Sequence, residues 1–166
     1  MKPQKLWRFG IVAFAAVLGS AVLGPATAQI SVRLSEICAS PDSSILIPLY
    51  VGDLSGKDVT SFEFVVSCDT SVLRLTGIDQ AGTVSFGLMM FANNRVRPFH
   101  PGLMKVVCAS AKPLSGDGIL VYLTAIAKHK DGFSPVQVSS FLFNRGTPQA
   151  EVKNGMVRVS RLLSKK

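Results

Sequence analysis

SFEFVVSCDTSVLRLTGID, residues Ser61 to Asp79, decides the fold class. Phe62, Phe64, Val66 and Cys68 recur at every second position, which on a strand puts four apolar groups on one side. Ser61, Glu63, Val65 and Ser67 then face the other way, as expected of a half-buried β-strand. Asp69, Thr70 and Ser71 carry side chains that hydrogen-bond their own backbone and so favour a turn. A second strand is expected from Val72 to Ile78.

The same signature repeats along the chain. Ile30, Val32 and Leu34 alternate, Pro41-Asp42-Ser43 turns, and Ile45, Ile47, Leu49 and Val51 share a face. Pro48 lies inside that run and cannot donate to a ladder, so an edge position is expected. Strands are expected over Thr83 to Phe91, Leu103 to Ser110, Ile119 to Lys128 and Val136 to Phe143. Arg95 to Pro101, with two prolines, reads as a loop, and Asn154-Gly155 as the tip of a closing hairpin. Eight to ten short strands between Gly, Pro and Asn turns predict a β-sandwich or barrel.

The first 28 residues stand apart. Lys2, Lys5 and Arg8 precede an apolar run from Phe9 to Gly24, and Ala26-Thr27-Ala28 supplies small residues for cleavage, the pattern of a secretory signal peptide. The run is short for a spanning helix, and no cysteine marks a lipoprotein site, so the mature chain is expected to begin at Gln29, without a membrane span. Removing 28 of 166 residues leaves 138, enough for one domain with a real core. Three of the 18 basic residues and none of the 10 acids leave with the leader, giving a net charge of +5. The bases are scattered, with a basic tail over residues 161–166, and no nucleic-acid motif is present. A secreted or periplasmic location follows as an expectation.

Export places Cys38, Cys68 and Cys108 in an oxidising compartment, where one pair among the three can bond. Their spacing fits no CxxC metal pattern, and neither His100 nor His129 is placed beside a thiol. No paired carboxylates or Ser-His-Asp motif stand out, Asp53, Asp58 and Asp69 fall in turns, and no EF-hand loop occurs. No catalytic role, no cofactor and no metal are therefore expected.

FEFVVSCDTSVLRLTGIDQAG resembles the part of cohesin modules that runs as an alternating strand, Tyr-Asp-Pro, a Val-Leu pair and a strand closing on glycine. Here Cys68-Asp69-Thr70 stands in the Tyr-Asp-Pro position, with Val72-Leu73 and Gly82 in place. MKVVCASAKPLSGDGILVYLTAIAK is similar to that family's strand, short loop and strand, with Gly118, Leu120, Leu123, Ala125 and Ala127 matching, and NGMVRV to its last strand. The resemblance spans most of Ile30 to Ser160 and implies one nine-stranded jelly-roll sandwich over residues 29–160. It implies a module that grips dockerins, small calcium-loaded helical domains, through the outer face of one sheet made of the third, fifth, sixth and eighth strands. Carried over by position, Ser61, Glu63 and Val65 on the third strand and Tyr122, Thr124 and Ile126 on the eighth form that face, with Ser110 and Lys112 in a loop beside it. Ser61 and Glu63 replace the Asn and Asp common in that family, which alters the expected hydrogen-bonding pair.

The residues themselves support an interface. Tyr122 and Ile126, flanked by Val65 and set beside Glu63, would form an apolar patch with a polar rim. The alternative partner is polysaccharide, which sandwiches of this kind grip with flat rows of Trp or Tyr. The mature chain, whose one candidate tryptophan Trp7 lies in the leader, offers only Tyr50 and Tyr122. The oligomeric state is not written in the sequence.

Overall fold

The computed structural model describes residues 29–94 and 102–161. The expected leader, the Arg95 to Pro101 loop and the tail beyond Arg161 lie outside the described residues. Among the described residues eleven strands run in chain order: β1 Ile30–Leu34, β2 Glu36–Ala39, β3 Ser44–Val51, β4 Ser61–Cys68, β5 Leu73–Asp79 and β6 Met89–Asn93 are the first six. β7 Leu103–Ala109, β8 Gly118–Ala127, β9 Gly132–Phe143, β10 Ala150–Lys153 and β11 Gly155–Val159 complete them. They form two sheets, ordered β10-β1-β3-β8-β5 and β2-β11-β9-β4-β7-β6. The fold is a jelly-roll β-sandwich.

Two of the strand breaks are single residues at which the chain changes sheet. Ser35 separates β1 from β2 and Asn154 separates β10 from β11, and the two crossings lie side by side because β1 pairs in parallel with β10 and β2 with β11. Counted through these breaks, the strands number nine. Asn154-Gly155 is therefore a crossing point and not the expected hairpin tip. Asn154 Oδ1 accepts the Val138 N–H at 2.9 Å, and a Cβ on Gly155 would lie 2.5 Å from the Ser35 carbonyl oxygen. Only glycine lets the two crossing chains approach so closely.

The core lies between the sheets. β4 sends Phe62, Phe64 and Val66 inward as its alternation requires, and Phe64 stacks on Phe141 of β9 at 5.4 Å. Ile47, Leu49, Leu73, Leu123 and Ala125 are buried from the opposite sheet. The β9 strand changes phase midway. Val136 and Val138 point in, Ser139 and Ser140 are both exposed, and Phe141 and Phe143 point in again. The register against β4 shifts there and Ser140 takes a φ of 53°, marking a β-bulge that turns Leu142 outward.

Pro48 is not on an edge strand: β3 lies in the middle of its sheet. The proline is tolerated because β1 pairs only with Leu49 to Val51, so at Pro48 the strand has β8 as its single ladder neighbour. The strand expected over Thr83 to Phe91 is also shorter than its sequence suggests. Thr83 to Leu88 is a tight loop, held by Gln80 Nε2 donating to the Ser85 and Leu88 carbonyls and by the buried Ser85 hydroxyl donating to Leu120 O at 2.6 Å.

Candidate functional site: the outer face of the six-stranded sheet

The outward side chains of β4 are Ser61, Glu63, Val65 and Ser67. Strand pairing extends each of them into a row across the sheet. Glu63 stands opposite Leu142 of β9 on one side and Val107 of β7 on the other, and Val107 stands opposite Phe91 of β6. Val65 lies in the next row with Ser139 and Lys105, and Ser61 in the previous one with Ala109 and Met89. Farther across the same face, Pro135 pairs with Met156 and Phe133 with Arg158, whose guanidinium lies 5.5 Å over the Phe133 ring.

Apolar exposure concentrates on this side. Of the eight large hydrophobic side chains exposed among the described residues, Met89, Phe91, Val107, Phe133, Leu142 and Met156 all lie on it, with Met89 and Phe91 each 66% exposed. Leu46 is the one on the outer face of the other sheet, and Phe86 belongs to the loop before β6. Met89, Phe91, Val107 and Leu142 fall in neighbouring rows, and an apolar patch with a polar rim marks an interaction site more often than chance surface. The two charges at the centre neutralise each other: Lys105 Nζ and Glu63 Oε2 are 2.9 Å apart.

At one end the face runs into an open groove of about 520 Å³, lined by Gly87 to Met89 and Ala109 to Lys112. Ser110 ties its wall, its hydroxyl donating to the Lys112 carbonyl at 2.6 Å while its N–H donates to Thr60 O at 2.8 Å. Asn144 holds the start of β4 at the same end. Its side-chain oxygen accepts the Thr60 and Ser61 N–H groups at 2.9 and 3.2 Å, and its amide donates to the Asp58 and Thr147 carbonyls.

Of the residues singled out from sequence, Ser61, Glu63, Val65, Ser110 and Lys112 therefore come together. Tyr122, Thr124 and Ile126 do not join them. β8 belongs to the five-stranded sheet, so these three point out of the opposite side of the sandwich, and the expected patch of Tyr122 and Ile126 beside Val65 and Glu63 does not exist. With β1 and β2 taken as one interrupted strand, β8 is the seventh strand, whereas the third, fifth, sixth and eighth are β4, β6, β7 and β9, all of one sheet. Around Tyr122 the surface is mixed: Pro48 and Asp79 flank it, and Thr124 Oγ1 hydrogen-bonds Thr76 Oγ1 at 2.9 Å. Tyr50 shares that side, but Arg33 lies over its ring at 4.4 Å, covering a surface that a sugar would need.

The cysteines form no pair: all three are free. Cys38 sits on the edge strand β2, four strands away from Cys108 on β7, and Cys68 and Cys108 lie at opposite ends of their neighbouring strands. Neither separation approaches the Cα spacing that a disulfide spans. Burial pushes the Cys108 thiol up to about 11 and raises that of Cys68, so both are protonated at neutral pH and poor nucleophiles. His129 is exposed and paired with Asp42 at 2.6 Å. Asp53 and Asp69 accept the Ser55 and Ser71 N–H groups, which lowers both carboxyls. Among the described residues no cluster of His, Cys, Asp or Glu could hold a metal ion, and no helix is long and apolar enough to cross a membrane.

No protein-family model matches the chain, and no curated protein matches it. Solved structures do. The sixth cohesin of Acetivibrio cellulolyticus scaffoldin B, solved with a Cel5 dockerin variant, is 21% identical, with 80% of this chain and 100% of that one aligned at a TM-score of 0.67. The OlpA cohesin from Clostridium thermocellum, solved in a type I cohesin–dockerin complex, matches at 18% identity, the same coverages and the same TM-score. A non-cellulosomal cohesin from the archaeon Archaeoglobus fulgidus matches at 18% identity over 80% of this chain and 92% of that one, with a TM-score of 0.65. The fold is cohesin-like.

Proposed function

We propose that this chain is an exported, non-catalytic binding module that takes a protein partner on the outer face of the six-stranded sheet. One observation carries the reading: six of the eight large hydrophobic side chains exposed among the described residues lie on that face. Phe91, Val107 and Leu142 form a transverse apolar row interrupted by Glu63, whose charge Lys105 already meets. Such a surface favours a partner with an apolar patch of its own and a polar margin that can reach Ser61, Ser110 and Lys112. Two of the cohesins that share the fold were solved with dockerins, which supports a dockerin-like partner as the class to try first. The leader pattern in residues 1–28 supports export to the periplasm or beyond the cell.

The test is a two-face comparison. The purified protein and its Val107→Lys and Tyr122→Ala variants serve as bait for the organism's exported proteins, with calcium and with chelator, beside insoluble cellulose and chitin. The expected result is a partner held by the native protein and by Tyr122→Ala, but at least about tenfold more weakly by Val107→Lys, because an ammonium is then desolvated in the middle of the contact. Loss on Tyr122→Ala with retention on Val107→Lys would place the site on the other sheet. Retention on polysaccharide without a protein partner would overturn the reading in favour of a sugar-binding module.

A further inference from the structure

Of the four strands that end the two sheets, three carry charge. β10 has Glu151 and Lys153, β5 has Arg74 and Asp79, and β2 has Glu36. Charged edges are how sandwiches avoid pairing with other chains. β6 is the exception: from Gln80 to Asn94 the chain contains neither a charged residue nor a proline. Among the described strands β7 is its one ladder neighbour, so the outer edge of Met89 to Ala92 faces away from the sheet. Met90 packs against the core, while its neighbours Met89 and Phe91 face outward, each 66% exposed.

We propose that β6 is a self-pairing edge, at which two copies of this chain join antiparallel about a two-fold axis at Met90 and run their six-stranded sheets into one. The sequence of the edge favours a second copy over a foreign strand. With Met90 opposite itself, Met89 meets Phe91 of the second copy, and the contact occurs twice by symmetry. Each pair sets a thioether against an aromatic ring on the same side of the sheet, a favourable cross-strand combination. No like charges oppose one another, because the edge has none. Met89 and Phe91 present on the order of 250 Å² per copy, about a third of the roughly 800 Å² that each side of a stable interface buries. The main-chain ladder and its flanks add to that. The pairing lies at the rim of the face described above and leaves Glu63, Val107 and Leu142 open to a partner.

Sedimentation of the purified protein from about 1 µM to about 1 mM tests this, with reductant present so that the exposed Cys38 cannot link copies. A reversible dimer is expected. Met89→Lys alone and Phe91→Glu alone should each weaken it at least about tenfold, with melting temperature unchanged because both side chains already face solvent. The two together should restore it, since the two-fold then sets each new ammonium opposite a new carboxylate. A protein that stays monomeric over the whole range overturns the proposal, as does a dimer indifferent to both single changes or one that the double change fails to restore. Phe91 also belongs to the apolar row of the neighbouring face, so partner capture is read through Val107→Lys, on β7 and outside the pairing strand, and not through the Phe91→Glu variant.

Discussion

Asn144 does more for the candidate site than any side chain on its surface. It adopts a φ of 47°, a left-handed conformation that asparagine tolerates better than most residues, and from there satisfies two backbone donors and two carbonyls. Asn144→Ala should therefore cost about 1–3 kcal/mol, through unpaired amides at the start of β4 and the loss of a residue suited to that backbone. Urea unfolding checks the magnitude, and Asn144→Gly, which keeps the backbone but not the bonds, should recover only part of it. Single-residue alternation was legible beforehand: Phe62, Phe64 and Val66 are buried and Glu63 faces out, as their spacing requires. The sequence left one pairing among the three cysteines open, because spacing along a chain says nothing of distance between strands; all three are free. Cys108 is an inward core residue on one strand, and Cys38 sits near solvent on the far edge.

Strands were easier to recognise than their breaks. β4, β5, β7 and β8 lie within a residue or so of their expected limits, because each is an uninterrupted alternating run. β9 contains such a run in two phases, VQV and FLF, and the two serines between them mark the bulge. That phase change was readable, yet alternation extended through it would have buried Leu142 and missed a member of the apolar row. The sheet changes at Ser35 and Asn154 carry a weaker signal, since an Asn-Gly pair between two short strands is an equally good hairpin. Their close crossing makes a sharp prediction. Gly155→Ala must push a methyl group against the Ser35 carbonyl and the Leu34 Cβ, 2.5 and 2.7 Å away, and should destabilise the protein by about 1–3 kcal/mol. A thermal melt showing no loss would mean that the two crossing strands separate more readily than their packing implies.

At the scale of the whole molecule, what could not be read was which strands share a sheet. β4 and β8 are both alternating, both central in their sheets and both bear an outward apolar residue or two, so nothing local distinguishes one face from the other. Only long-range pairing separates them, and it moved Tyr122, Thr124 and Ile126 away from Ser61, Glu63 and Val65. The same pairing supplied neighbours that β4 alone could not reveal: Phe91, Val107 and Leu142, brought into line with Glu63 from three other strands. The proposed site is a property of a face, and a face exists only once a sheet is assembled. Amide hydrogen exchange of the protein with and without its captured partner measures this directly. Slowed exchange across β4, β6, β7 and β9, with β3, β5 and β8 unchanged, is the predicted footprint. Protection centred on β3 and β8 around Tyr122 would contradict the account and assign binding to the five-stranded sheet.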